Sequence, residues 1–192
     1  MKQIYKQLVT AALLMTSCVP AAVMADSGAD IGGGNLSADA HLNLRVTIPR
    51  FLLFRVGSLG SVDTITFAPT DAEVGDGNPI AGTGGDAGAG SGANVAVRSN
   101  GGEITISEAN DNGAGGLGTG GAISLTEIRV TSDNNTLPTP ELSDGGGNST
   151  TVTLSNGNVT NRTAIWTYAY DNNTTPAAGN YDADITYTAA NF

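Results

Sequence analysis

The chain has 192 residues, 18 acidic and 8 basic side chains, a formal net charge of −10, 27 glycines and a single cysteine. Such an acidic balance argues against nucleic acid or an anionic membrane as partner. One cysteine excludes a disulfide framework, and one histidine, His41, excludes a His-cluster metal centre.

Residues 1–25 read as an export signal. Lys2 and Lys6 precede the apolar run Leu8–Val19, Pro20 breaks it, and Val23-Met24-Ala25 supplies small residues at the cleavage positions. The run is shorter than the roughly 18–20 residues of a membrane span, so no span is expected in the mature chain. Leu14-Met15-Thr16-Ser17-Cys18 resembles a lipobox and offers lipidation of Cys18 as a second export route. Either way the product is exported, to the cell surface or the medium, with the periplasm as the lesser alternative. Both lysines leave with the signal. Residues 26–192 then hold arginine as their only basic residue besides His41, and all 27 glycines, which predicts long loops.

Residues 26–39 (DSGADIGGGNLSAD) are polar and glycine-rich, a flexible leader. A β-domain is expected over residues 40–192. It begins with Ala40–Gly57, in which Leu42, Leu44, Val46 and Ile48 share one face, with His41, Asn43, Arg45 and Thr47 on the other. Pro49 interrupts the ladder and places this ribbon at an edge or a bend. Phe51-Leu52-Leu53-Phe54 is then apolar on both faces. At about 3.3 Å per residue the whole ribbon is too long for one strand of a domain this size. It either bends at Pro49 and changes sheets or projects from the domain.

Ser61–Phe67 forms a short strand, and Ala68–Ala93 a long loop with little to bury. Asn94–Ser107 reads as a hairpin, with Val95 and Val97 pairing with Ile104 and Ile106 across Asn100-Gly101-Gly102. In Ala122–Thr131 the pair Ile123 and Leu125 falls out of phase with Ile128 and Val130, which predicts a bulge near Glu127. After a polar loop, Thr150, Val152 and Leu154 make a strand that turns at Ser155–Asn158. The closing segment holds two long alternations, Ala164/Trp166/Tyr168/Tyr170 and Tyr181/Ala183/Ile185/Tyr187/Ala189, around the loop Asp171–Asn180. They carry the only tryptophan and four of the five tyrosines, so Trp166, Tyr168, Ile185 and Tyr187 are core candidates. Roughly eight short strands separated by Gly/Asn/Asp loops predict an all-β, single antiparallel β-sandwich.

Catalytic motifs are weak. Gly113–Gly118 matches GxGxxG by letter but lacks the strand-and-helix setting of a dinucleotide fold. No GxSxG surrounds any serine. Asp182 and Asp184 share the polar face of one strand, where a solvated pair is the natural reading. The chain is expected not to be an enzyme. Cofactors are expected to be none, apart from calcium in the oxygen-rich turns at Asp76, Asp111, Asp133 and Asp171. Aspartate and asparagine also populate turns for backbone reasons alone, and the sequons at Asn134, Asn148, Asn158, Asn161, Asn172 and Asn173 are read the same way.

The most informative stretch is Pro49-Arg50-Phe51-Leu52-Leu53-Phe54-Arg55. A strand buried between two sheets reads as a continuous apolar run; so does a strand offered to another copy. Arg45, Arg50 and Arg55 concentrate positive charge on this ribbon of an acidic protein, which suits head-to-tail contact.

Trp166-Thr167-Tyr168-Ala169-Tyr170, then Ala178-Gly179-Asn180-Tyr181 and Asp184–Thr188, resemble the last two strands of bacterial secreted immunoglobulin-like domains, among them subunits of surface fibres and adhesins. The resemblance covers about the last thirty residues. It implies an Ig-like sandwich and an extracellular location, and no ligand. The function expected is that of a non-catalytic extracellular structural or adhesion protein, self-associating or binding other surface proteins. A carbohydrate-binding module at the cell surface, with glycans as partners, is the alternative.

Overall fold

The computed structural model describes residues 28–88, 92–113, 115–118 and 120–191. The export signal over residues 1–25 and Cys18 lie outside the described residues. The chain divides between Ile48 and Pro49.

On the N-terminal side, residues 28–48 are exposed throughout and carry neither strand nor helix. The strand predicted over Ala40–Ile48 is therefore not formed. Leu42, Leu44, Val46 and Ile48 are 83%, 82%, 85% and 75% exposed. A period-2 pattern makes a strand only where an edge offers hydrogen bonds and a face offers something to cover. Within residues 28–48 there is neither.

The second unit, Pro49–Phe192, contains ten strands among its described residues: β1 (Leu52–Val56), β2 (Ile65–Thr66), β3 (Ile80–Ala81), β4 (Thr83–Gly84), β5 (Ala93–Ser99), β6 (Ile104–Asn110), β7 (Ile128–Ser132), β8 (Ser149–Val152), β9 (Thr160–Tyr170) and β10 (Ile185–Asn191). The long glycine-rich loops appear as expected, although the loop after Phe67 contains the two-residue strands β3 and β4. One sheet has the order β1-β5-β9-β3, with β7 also pairing β9; the other is β10-β6-β8; β2 and β4 make a small ribbon. All pairings are antiparallel.

The two main sheets pack face to face. Val95 and Val97 of β5, with Ala164 and Trp166 of β9, meet Ile104 and Ile106 of β6 and Val152 of β8 in one buried cluster with Leu137. Trp166 is fully buried, and its ring meets that of Tyr187 edge-on at 5.1 Å. The closing aromatic strands thus meet across the sandwich, from opposite sheets. The fold is an all-β, antiparallel sandwich.

Two local expectations are corrected. Residues 94–107 do not form a hairpin: β5 pairs with β1 and β9, whereas β6 pairs with β10 and β8. Val95, Val97, Ile104 and Ile106 face one another from opposite sheets, joined by an arch over Asn100–Glu103. Side chains hold it. Ser99 Oγ donates to Phe51 O and accepts from Gly101 N, while Asn100 donates to Pro49 O and accepts from Phe51 N. Arg50 and Asn191 both donate to Gly101 O. A Cβ on Gly101 would push aside the end of the Asn191 side chain that bonds there. The phase break before Ile128 is a 3-10 turn over Leu125–Glu127, not a bulge. Ser124 caps it, and Asp144 accepts from both Ser124 Oγ and Leu125 N.

Candidate interaction surface

The segment Pro49–Arg55 enters the sandwich as its edge. Among the described residues, β1 has β5 on one side and no strand of its sheet on the other. Its apolar run divides by parity. Leu52, Phe54 and Val56 pack against the core and stay half-buried, while Phe51 and Leu53 point outward, 50% and 52% exposed. The doubly apolar stretch is therefore an edge strand with one face in and one face out. Arg50 and Pro49 are tied to the arch, and Arg55 lies beside Val56 on the same edge.

β1 and β10 are neighbours on one flank, at the edges of opposite sheets. The inward residues of both, Leu52, Phe54, Val56, Tyr187 and Ala189, are only half-buried. Backbone parity gives the flank a second property. Asp111 N donates to Asp184 O, so in the register that continues into β10 the even-numbered residues bond β6. The N–H and C=O groups of Ile185, Tyr187, Ala189 and Asn191 point off the sheet. Gly57 N donates to Asn94 O, so Leu53 and Arg55 bond β5 while the backbone groups of Leu52, Phe54 and Val56 point outward.

The opposite flank is covered. Between β7 and β8 the chain crosses the gap: Leu137 is fully buried, Trp166 Nε1 donates to Leu137 O at 3.3 Å, and Thr153 N donates to Thr136 O at 3.0 Å. Thr139 Oγ1 also donates to Val130 O.

The four aspartates proposed for calcium are not brought together. Asp76 accepts from Asn78 and Asn172, and Asp111 accepts from Thr186. Asp133 accepts from Ile165 N, and Asp171 pairs with Arg129 at 2.6 Å. Among the described residues no three His, Cys, Asp or Glu side chains gather into a metal-holding cluster. The hydrogen bonds from Asn78 hold the Asp76 carboxyl below its ordinary range, and those from Thr70 do the same for Glu73.

Asn172, read from sequence only as a turn residue, is a structural anchor. It is fully buried at φ +57°, donates to Glu73 O at 2.6 Å and to Asp76 Oδ1 at 3.1 Å, and accepts from Gly75 N. The turn signal was visible; its clasp on residues nearly one hundred positions earlier was not. The aromatic rings of β9 and β10 face inward. Burial raises the pKa of Tyr168, and raises that of Tyr187 further, whose phenol end is buried near Tyr168 and Glu108. Glu108 is itself buried in the row of Ile104 and Ile106, with Oε1 accepting from Ser143 Oγ and Asn148 N. A shallow surface recess of about 450 Å³ is lined by Ala81, Arg129, Thr131, Thr167, Tyr168 and Ala169.

The chain matches no family model, no curated protein and no solved structure.

Proposed function

We propose that the protein is an exported, non-catalytic structural or adhesion protein of immunoglobulin-like type, working at or outside the cell surface by association of copies through its N-terminal ribbon. The observation that carries this reading is the exposed row Leu42, Leu44, Val46 and Ile48, followed in the chain by the half-exposed Phe51 and Leu53. Four alternating aliphatic side chains held in water are costly. Covering each would gain roughly 1.5–3 kcal/mol, which gives such a row a reason to find a partner surface. The alternation fits strand addition, in which the backbone supplies affinity and alternate side chains supply specificity. The carbohydrate-binding alternative needs exposed aromatic platforms, and Trp166 and Tyr170 are buried.

The test uses the full chain secreted by a bacterial host, with size-exclusion chromatography, negative-stain microscopy and a glycan array. Oligomers or filaments are expected, lost on Phe51→Asp/Leu53→Asp or Leu44→Asp/Val46→Asp. Phe54 is unsuitable for this purpose because it packs against the core. A monomer that binds a defined glycan would replace this reading with the alternative.

A further inference from the structure

We propose, resting on the self-association reading above, that Ala40–Ile48 of one copy adds to the free edge of β10 in a second copy and closes the β1–β10 flank there. The first argument is the width of the sheets. Among the described residues, one sheet places four strands side by side, β7-β9-β5-β1, and the other three, β8-β6-β10. The partly buried side chains packed on the shared core include Leu52, Phe54 and Val56 of β1 and Tyr187 and Ala189 of β10, alongside Val130 of β7 and Tyr168 of β9. A strand added beyond β10 makes four on four, on the flank where β10 neighbours β1.

The second argument is hydrogen bonding. The outward backbone groups of Ile185, Tyr187, Ala189 and Asn191 form a ready ladder, and β10 is seven residues long against five for β1. Ala40–Ile48 is long enough to span it. In that pairing Leu42, Leu44, Val46 and Ile48 face the open core, while His41, Asn43, Arg45 and Thr47 face water. Small inward Ala189 leaves room for the larger aliphatic side chains.

Charge is the third. Ala40–Ile48 carries Arg45 and no acid, whereas Pro49–Phe192 carries fifteen acids and five arginines. Asp182 and Asp184, both exposed, lie just before β10. The contact joins two different surfaces, so it is head-to-tail and propagates as an open chain.

The experiment is a cysteine scan in the full secreted chain. Asn43→Cys, Arg45→Cys or Thr47→Cys in one tagged copy is mixed with Thr188→Cys in a differently tagged copy, the reference being Thr131→Cys on exposed β7. Strand pairing holds the thiols at millimolar effective concentration, so disulfide-linked pairs should form at least about tenfold more with Thr188→Cys than with Thr131→Cys. Ala189→Pro, which removes an outward N–H without touching the bonds to β6, should lower oligomer yield in the same copies. Equal linkage at the two sites, or none while oligomers persist, would overturn the β10 site and leave self-association standing. Linkage within single chains of a Thr47→Cys/Thr188→Cys double variant would overturn the second-copy occupant. The absence of oligomers from every mixture would overturn the underlying reading itself.

Discussion

On the flank of β7 and β8, a loop of the same chain crosses between the sheets, buries Leu137 and takes the Trp166 indole proton on its carbonyl. On the flank of β1 and β10, the described residues are tied across only at the arch, where Arg50 and Asn191 meet at Gly101 O. Both flanks are built from strands with an apolar inner row, yet one is crossed by a loop with a fully buried leucine and the other is not. The difference teaches that an alternating strand supplies half of an interior. Its cover must come from a segment that crosses the gap, and on the open flank the described body has none beyond the arch.

The comparison breaks most sharply at Leu137. Leu137→Ala should cost about 2–5 kcal/mol, because it opens a cavity where the loop is pinned; equilibrium denaturation reads it. Phe54→Ala on the open flank should cost less, about 1–3 kcal/mol in the isolated copy, because that ring is only partly buried where Leu137 is wholly so. An equal cost for the two would abolish the distinction. Asn172→Gly keeps the positive φ but loses the clasp on Glu73 and Asp76, and should cost about 1–3 kcal/mol.

pH offers a sharper probe. The folded-state pKa of Tyr187 lies well above the usual 10.0, chiefly through burial, and that of Tyr168 is also raised. The folded state therefore favours the neutral phenols. Their stabilising contribution is whole below about pH 10 and is lost as pH rises from there through the folded values. Tyrosinate absorbance should show two late ionisations coupled to unfolding, and Tyr187→Phe should push the alkaline midpoint upward. The smallest effect belongs to Leu44→Asp/Val46→Asp. Melting of the isolated copy should move by less than about 0.5 kcal/mol, because these side chains lie in solvent. A larger loss would mean the row is already covered.

Much of this was legible in the residues. The inward phase of Ala164, Trp166, Tyr168 and Tyr170, the loop at Asp171–Asn180 and the all-β class follow from periodicity and turn chemistry. The arch at Asn100–Glu103 was not. Alternation says which face of β5 and β6 is inward, and a hairpin and an arch bury the same valines and isoleucines. What separates them is where Ser99 and Asn100 send their side chains, and those partners, Pro49 and Phe51, lie about fifty positions earlier. The ribbon shows the same limit. Phe51–Phe54 was recognisable as two-faced, but Leu42–Ile48 reads the same whether covered or bare, since pattern records an inner face and not its cover.

The clasp at Asn100 also decides how the body answers a pull. Tension applied at Pro49 along the axis of β1 meets two side-chain bonds to Asn100 and one from Arg50 to Gly101. Behind them stand the paired positions of β1 against β5, from Leu52 opposite Ser99 to Val56 opposite Val95. Force in that direction shears the whole row at once instead of peeling one bond after another. The start of β1 is thus built to resist a pull along its own axis.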